Sequence, residues 1–342
     1  MLTLDSYVSL KPYNTFGIDA TARYFTEITT ESDLETLREL TEFVTMPRLI
    51  LGGGSNILFT GNFDGLVVKV NIQGISVVHE DDQHIWVQAG GGVNWHELVM
   101  YCVNNGFAGM ENLSLIPGTT GAAPMQNIGA YGVEIEQIFN SLTAMHIETG
   151  QHQVFLHDDC RFGYRESVFK HDLKGQYIIT SVTFRLNKIP TFHTQYGAIQ
   201  ETLAEMGITD ETLTIKAISD AVIQIRRSKL PDPAEIGNAG SFFKNPEILK
   251  TQFETLKTAY PTLPGYPVAD PDRVKIPAGW LIEQAGWKGH RTGDAGVHGK
   301  QALVLVNYGR ATGAEIMVLA RQVQQSVQEK FGVNITPEVN WV

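Results

Sequence analysis

From residue 70 to residue 160 of a 342-residue chain there is not one lysine or arginine. An anionic ligand held in that stretch must therefore be neutralised by backbone amides and helix N-termini. Cysteine is scarce too. Cys102 and Cys160 are the only two, too few for a disulfide framework and without metal-ligand spacing, so buried free thiols are expected. The residues supply no excess of positive charge: 26 Lys and Arg against 37 Asp and Glu leave a formal charge of -11, which excludes nucleic acid as a natural partner. No apolar run is long enough to span a bilayer. The first residues, MLTLDSYVSLKPYNTFGIDA, carry acids and lack the form of a signal peptide, so a cytoplasmic protein with no membrane partner is expected. HExxH, Gly-x-Ser-x-Gly and histidine pairs at metal spacing are all missing. Neither a metal site nor a hydrolase triad is expected, and there is no internal repeat.

What the chain does have is size and an ordinary globular composition, 43% hydrophobic and 18% charged, enough for two or three domains with a substantial core. TESDLETLREL places Ser32 three residues before Glu35 and spaces Leu34, Leu37 and Leu40 for a helix, which predicts a capping box with Ser32 as the cap. PRLILGGGSN then runs from a short apolar strand into glycine, so a strand, helix, strand unit is expected. GLVVKV, ISVVHE and IWVQAG follow as β-branched strands separated by turn residues. After a helix in NWHELVMYCVNNG, strands resume at SLTAMHIET and YIITSVTFRL, and LTIKAISDAVIQIRRSKLPDP reads as a helix stopped by Pro231. Beyond Pro233 loops take over, together with one long helix, GAEIMVLARQVQQSVQEKF; a separate domain is expected there. VNITPEVNWV is too short to stand alone and is expected to return to an earlier sheet.

Two glycine-rich segments carry the chemistry. LGGGSN (52–56 with its preceding Leu) fails as a dinucleotide fingerprint, because Ile57 stands where a third glycine is needed. It fails as a P-loop because no Gly-Lys-Ser/Thr follows. A backbone able to approach a ligand closely and to form an anion nest survives both tests. IPGTTGAAPMQNIGAYG (116–132) makes the same offer, and Gln126 and Asn127 can meet the amide and carbonyl groups of a heterocycle. Singly, each reads as tight turns; together they point to a nucleotide-like ligand. Cations return in the second half, where most belong to an ordinary solvated surface, but Arg165 and Lys229 adjoin motif-like segments and suit an anionic substrate. In CRFGYRESVFK, alternation would set Tyr164 and Arg165 on opposite faces of a strand. In NAGSFFKNP, Ser241 reads as a turn residue when taken alone.

KPYNTFGI, LGGGSN, LIPGTTGAAPMQNIGAYG, CRFGYRESVFK, SKLPDP, NAGSFFKNP and TPEV, in that order along the chain, resemble the UDP-N-acetylenolpyruvoylglucosamine reductase family in its longer, type I form. The resemblance implies an α+β FAD-binding fold of the vanillyl-alcohol oxidase type, with two FAD-binding α+β domains and a smaller α+β substrate-binding domain. The boundaries it implies are 1–70 for the first lobe, 71–230 with 333–342 for the second, and 231–332 for the substrate-binding domain. It also implies bound FAD, NADPH as reductant, a UDP-sugar substrate sharing one site with NADPH, and a monomer. In such an enzyme hydride passes from flavin N5 to C3 of the enolpyruvyl group and a proton reaches C2.

Carried over by motif, Ser241 is the proton donor, and Arg165 and Glu338 hold the substrate carboxylate and stabilise the enolate. Glu338 beside a carboxylate is repulsive unless protonated or shared with a cation. Gly52, Gly53, Gly54, Ser55, Asn56, Pro117, Gly118, Gly121, Ala122, Gln126, Asn127, Gly129, Ala130 and Tyr131 are the implied FAD contacts. Where many relatives place serines, this chain has Ala122 and Ala123, so only backbone contacts remain there. Tyr164, Tyr196, Arg226, Lys229, Asn245, Lys288 and Gln301 are the implied substrate and pyridine-nucleotide contacts. Tyr266, in PGYPVADPDRV, corresponds to a tyrosine on a mobile loop.

Overall fold

The computed structural model describes residues 2–342, and the chain divides into two compact units. The first comprises residues 2–8, Ala22–Gly54 and Asp64–Ser228; the second comprises Ser9–Thr21, Ser55–Phe63 and Lys229–Val342.

The first unit holds two sheets. One is four-stranded, in the order Asp5–Ser9, Thr21–Ile28, Phe63–Val70, Arg48–Leu51. Arg48–Leu51 lies parallel to Phe63–Val70, with Leu51 opposite Lys69. The helix Glu31–Glu39 lies between Thr21–Ile28 and Arg48–Leu51 in sequence, a strand, helix, strand unit whose two strands are separated in the sheet by Phe63–Val70. Its cap differs from the expectation. Thr30, not Ser32, is the N-cap: its side chain accepts from Asp33 N–H, and Asp33 closes the box from the third helical position. Thr30 with Asp33 and Ser32 with Glu35 satisfy one sequence pattern, and the extended backbone of Thr30 decides between them. Leu34 and Leu37 of this helix join Phe43, Leu66, Val68 and Val70 in a core that also takes in Met145, Ile147 and Ile178.

The other sheet is five-stranded and antiparallel, in the order His152–Leu156, Phe139–His146, Tyr177–Asn187, His84–Gly90, Ile75–Glu80. Its inner face carries Val87, Ala89, Leu142, Ala144, Val182 and Phe184 against the helix Trp95–Asn104. Trp95 is fully buried, stacks edge-on to Phe184 at 5.7 Å, and donates its indole N–H to the carbonyl of Leu113 at 3.0 Å. Asn94 caps the helix by accepting from the N–H groups of His96 and Glu97. That helix end meets the second glycine loop, since Trp95 N–H donates to the carbonyl of Gly118 at 3.0 Å. Cys102 and Cys160 are both buried free thiols, and burial pushes each up to about 12.

The second unit contains a four-stranded sheet in the order Gly237–Asn238, Leu305–Asn307, Ala295–Val297, Arg291–Thr292, and a three-stranded one in the order Glu247–Leu249, Arg273–Lys275, Tyr266–Pro267. The long helix Gly313–Phe331 starts at a capping box of Thr312 and Glu315 and ends at Gly332 in the left-handed region. Ile316, Leu319, Ala320, Val323 and Val327 form its buried face. The C-terminal strand Asn340–Trp341 does not join one of the larger sheets; it pairs in parallel with Ile57–Leu58 in a two-stranded sheet of its own.

Candidate active site

In the first unit, Gly52 follows the strand Arg48–Leu51 and lies against the second glycine loop. A Cβ at Gly52 would stand 2.7 Å from Thr119 Oγ1, and one at Gly53 would stand 2.7 Å from Gly118 Cα. Only glycine allows two backbones this approach. Lys69 supports the loop from behind by donating from Nζ to the carbonyl of Gly52; burial pulls its pKa down, opposed by Glu27. Thr119 is 7% exposed, and its Oγ1 is buried with no hydrogen-bond partner. Two loops in close apposition and an orphaned hydroxyl fit a phosphate-bearing cofactor such as FAD. Thr119 and Lys69 were not among the residues singled out from sequence. A lysine in the otherwise apolar run GLVVKV was the one visible signal.

The loop continues as the 3-10 helix Thr120–Gln126, which contains Gly121, Ala122 and Pro124. Thr120 N–H and Gly121 N–H donate to the carbonyls of Val93 and Gly91. Asn127 is fully buried in the left-handed region, and its side chain joins Glu134, Gly163 and Glu136. Gly129 and Ala130 pair with Glu134 and Val133 in a short hairpin. Pro117 and Gly118 precede the 3-10 turn, and Gln126 ends it.

Tyr131, also in the left-handed region, meets Tyr196 edge-on at 5.4 Å. Burial raises the Tyr131 pKa, and Arg226 opposes the rise. Arg226 lies on the helix Ile215–Lys229 and donates from Nε to the carbonyl of Leu115 at 3.2 Å. Leu115 has φ +59 and donates its N–H to His96 Nδ1 at 3.0 Å. The first unit thus gathers Tyr131, Tyr196 and Arg226, while Lys229 is the last residue of the same helix.

Arg165 is not on a strand. Its φ is +58, and Gly163 and Glu166 close a tight turn around Tyr164 and Arg165. Strand alternation therefore does not apply. The guanidinium folds back over the Tyr164 ring at 5.2 Å, a geometry that a period-two pattern cannot reveal.

Nearby, Glu111 is 1% exposed; Oε2 accepts from Gly109 N–H at 2.7 Å, whereas Oε1 has no partner. Burial raises its pKa, and the Gly109 N–H opposes the rise. The unfolded chain therefore ionises first, and stability falls as pH climbs from the ordinary carboxylate range through the raised value. Glu111→Gln keeps the acceptor and removes the charge. It is expected to be more stable than the parent at pH 8 and to lose that advantage as pH falls toward 4, read from melting temperatures at both pH values.

In the second unit, Ser241 and Glu338 are neighbours through the backbone. Phe243 bridges Pro337, Glu338 N–H donates to the carbonyl of Phe242 at 2.8 Å, and Lys244 N–H donates to that of Thr336 at 2.9 Å. Ser241 itself is exposed, followed by the buried Phe242 and Phe243. Asn56, which with Ser55 follows the first glycine run, donates from Nδ2 to the Glu338 carbonyl at 3.3 Å. Asn245 Oδ1 accepts from Ala278 N–H at 2.9 Å, so it holds the start of the helix Ala278–Gln284. Gln301 Oε1 stands 3.2 Å from where a Cβ on Gly279 would lie, over that helix. Lys288 pairs with Glu283 at 2.9 Å, and Tyr266 is exposed on the strand Tyr266–Pro267. Among the described residues no helix is long and apolar enough to cross a membrane, and no cluster of three His, Cys, Asp or Glu could hold a metal.

Residues 22–155 match a family described as an FAD binding domain, and residues 232–342 match one described as the UDP-N-acetylenolpyruvoylglucosamine reductase C-terminal domain. A UDP-N-acetylenolpyruvoylglucosamine reductase of Amoebophilus asiaticus is 54% identical over 99% of both chains. The chain belongs to the UDP-N-acetylenolpyruvoylglucosamine reductase family. A reductase of the same name from Flavobacterium johnsoniae is 50% identical, again over 99% of each chain. The crystal structure of UDP-N-acetylenolpyruvylglucosamine reductase from Thermus caldophilus superposes with a TM-score of 0.70 at 23% identity, covering 100% of this chain and 99% of that one. Its fold is the α+β one expected. The FAD expected of this reductase falls on the unit that carries the orphaned Thr119 hydroxyl and the apposed glycine loops.

Proposed function

We propose that this chain reduces the enolpyruvyl group of UDP-N-acetylglucosamine enolpyruvate to give UDP-N-acetylmuramate, a step of peptidoglycan precursor synthesis, using NADPH, in the cytoplasm and as a monomer. The end-to-end likeness to the Amoebophilus asiaticus reductase carries this reading. FAD, held by the apposed glycine loops around Gly53 and Gly118, would supply the hydride for C3 of the enolpyruvyl group, with NADPH as its reductant. Negative charge then builds at C2 and spreads into the substrate carboxylate. Ser241 Oγ donates the proton to C2; a hydroxyl is a weak acid, but a carbanionic carbon takes its proton when the geometry is held. Arg165 meets the carboxylate and stabilises the enolate by charge, and Glu338 fixes the carboxylate by a shared proton.

Tyr196, Lys229, Asn245, Lys288, Gln301 and Tyr266 are assigned to the UDP-sugar and, in turn, to NADPH. Arg226, joined to Tyr131 and to the Leu115 carbonyl, holds the substrate-side wall of the flavin loop. The two sheets of the first unit support reading that unit as two lobes with a boundary near residue 70. Anaerobic titration tests the whole reading. NADPH is expected to bleach the flavin, and the enolpyruvyl UDP-sugar to restore its colour; a reduced flavin that ignores the sugar and reacts rapidly with oxygen would overturn it.

A further inference from the structure

Arg165 is held by more than its turn. Its Nη1 lies 3.2 Å from Glu134 Oε1 and donates to the Asn127 carbonyl at 3.3 Å, while Nη2 donates to the Gly129 carbonyl at 2.6 Å. Glu134 is fixed from its other oxygen, because Oε2 accepts from Asn127 Nδ2 at 3.1 Å. Asn127 is fixed in turn by the Gly163 carbonyl and by Glu136 N–H. The hairpin brings Gly129 opposite Glu134, and a Cβ at Gly129 would stand 2.6 Å from Glu134 Cγ and 3.2 Å from Arg165 Nη1. Glycine at 129 thus leaves room for the pair. Both side chains are mostly enclosed, 18% exposed for Arg165 and 24% for Glu134, where an ion pair is screened far less than at the surface.

We infer that Glu134 is a positioning residue for the reaction: it orients the Arg165 guanidinium and offsets part of its charge. The proposal rests on the reading of Arg165 as the carboxylate partner. The carboxylate of Glu134 makes no claim on the substrate. Together with the carbonyls of Asn127 and Gly129 it fixes the orientation of the guanidinium, and by its charge it keeps the arginine from holding the carboxylate of substrate and product too tightly. Both effects act when charge develops at the enolpyruvyl group, not when NADPH delivers hydride.

The two half-reactions therefore separate a positioning role from a merely structural one. Glu134→Gln keeps the length of the side chain and removes its charge. Stopped-flow measurements are expected to show reoxidation by the enolpyruvyl UDP-sugar slowed about 10²-fold, the scale of a misplaced catalytic group. Reduction by NADPH, flavin content and melting temperature are expected to stay near those of the parent. Glu134→Asp keeps the charge at shorter reach and is expected to recover part of the lost rate; it also serves if the glutamine variant loses flavin. Unchanged reoxidation, or equal slowing of both half-reactions in both variants, overturns the inference. Arg165→Ala is measured alongside: if it leaves reoxidation unchanged, the assignment of Arg165 itself fails, whereas slow Arg165→Ala with normal Glu134→Gln sinks only the role of Glu134.

Discussion

Ser241→Ala is expected to accept electrons from NADPH normally and then to pass them to the enolpyruvyl UDP-sugar about 10²–10⁴ times more slowly, the range of a lost general acid. The backbone around residue 241 is fixed independently of the hydroxyl. Gly240, with φ +68, donates its N–H to Asn238 Oδ1 at 2.9 Å, and Phe242 N–H donates to the Leu303 carbonyl at 2.8 Å. Phe242 and Phe243, 0% and 1% exposed, anchor the segment in the core. Since Ser241 is exposed, alanine removes one hydroxyl without opening a cavity, and the melting temperature should not move. Rapid mixing of the reduced variant with substrate, without oxygen, reads the effect. A variant reoxidised at the parental rate would return Ser241 to the role of a turn residue. A cysteine in its place, a stronger acid of similar size, should restore part of the rate.

Gly53→Ala is expected to yield a protein that purifies without its yellow colour. The added methyl would stand 2.7 Å from Gly118 Cα, 3.0 Å from Gly118 C and 3.3 Å from Thr119 N, all of them backbone atoms that no side-chain rotation can clear. One of the two loops must move. Overpacking of this kind costs about 1–3 kcal/mol, or about 5–150-fold in flavin affinity if the displaced loop is the binding surface. Gly61→Ala is the control, because a Cβ there meets nothing within 4 Å. Flavin absorbance per mole of protein and a titration with FAD distinguish the two; full occupancy in Gly53→Ala would show that the apposed loops do not cradle the cofactor.

How far these sites could be read in advance depended on the range of the contact involved. Local rules served well where the outcome is local: the β-branched runs became the strands Phe63–Val70, Ile75–Glu80 and His84–Gly90, and the apolar stripe after residue 313 became the helix Gly313–Phe331. They failed at Arg165, whose left-handed backbone is imposed by a turn that alternation ignores, and at the cap of Glu31–Glu39, where two overlapping boxes compete. Thr119, Lys69 and Glu134 were not legible, since each acts on a partner brought near by folding: Gly52 for the first two, Arg165 for the third. Nor did periodicity bear on the roles of Ser241, Arg165 and Glu338. Those came from family resemblance, and what the fold contributes is that Ser241 and Glu338 share one backbone ladder.

The discontinuous second unit has a consequence for how the protein is made. Thr60 Oγ1 donates to the carbonyl of Val342, a residue 282 positions later. At a synthesis rate of about 5–20 residues per second, Leu58 and Phe59, both 0% exposed in the finished fold, emerge from the ribosome about 15–55 s before their partner strand exists. A nascent chain of this enzyme carries an unpaired apolar strand through most of its own translation.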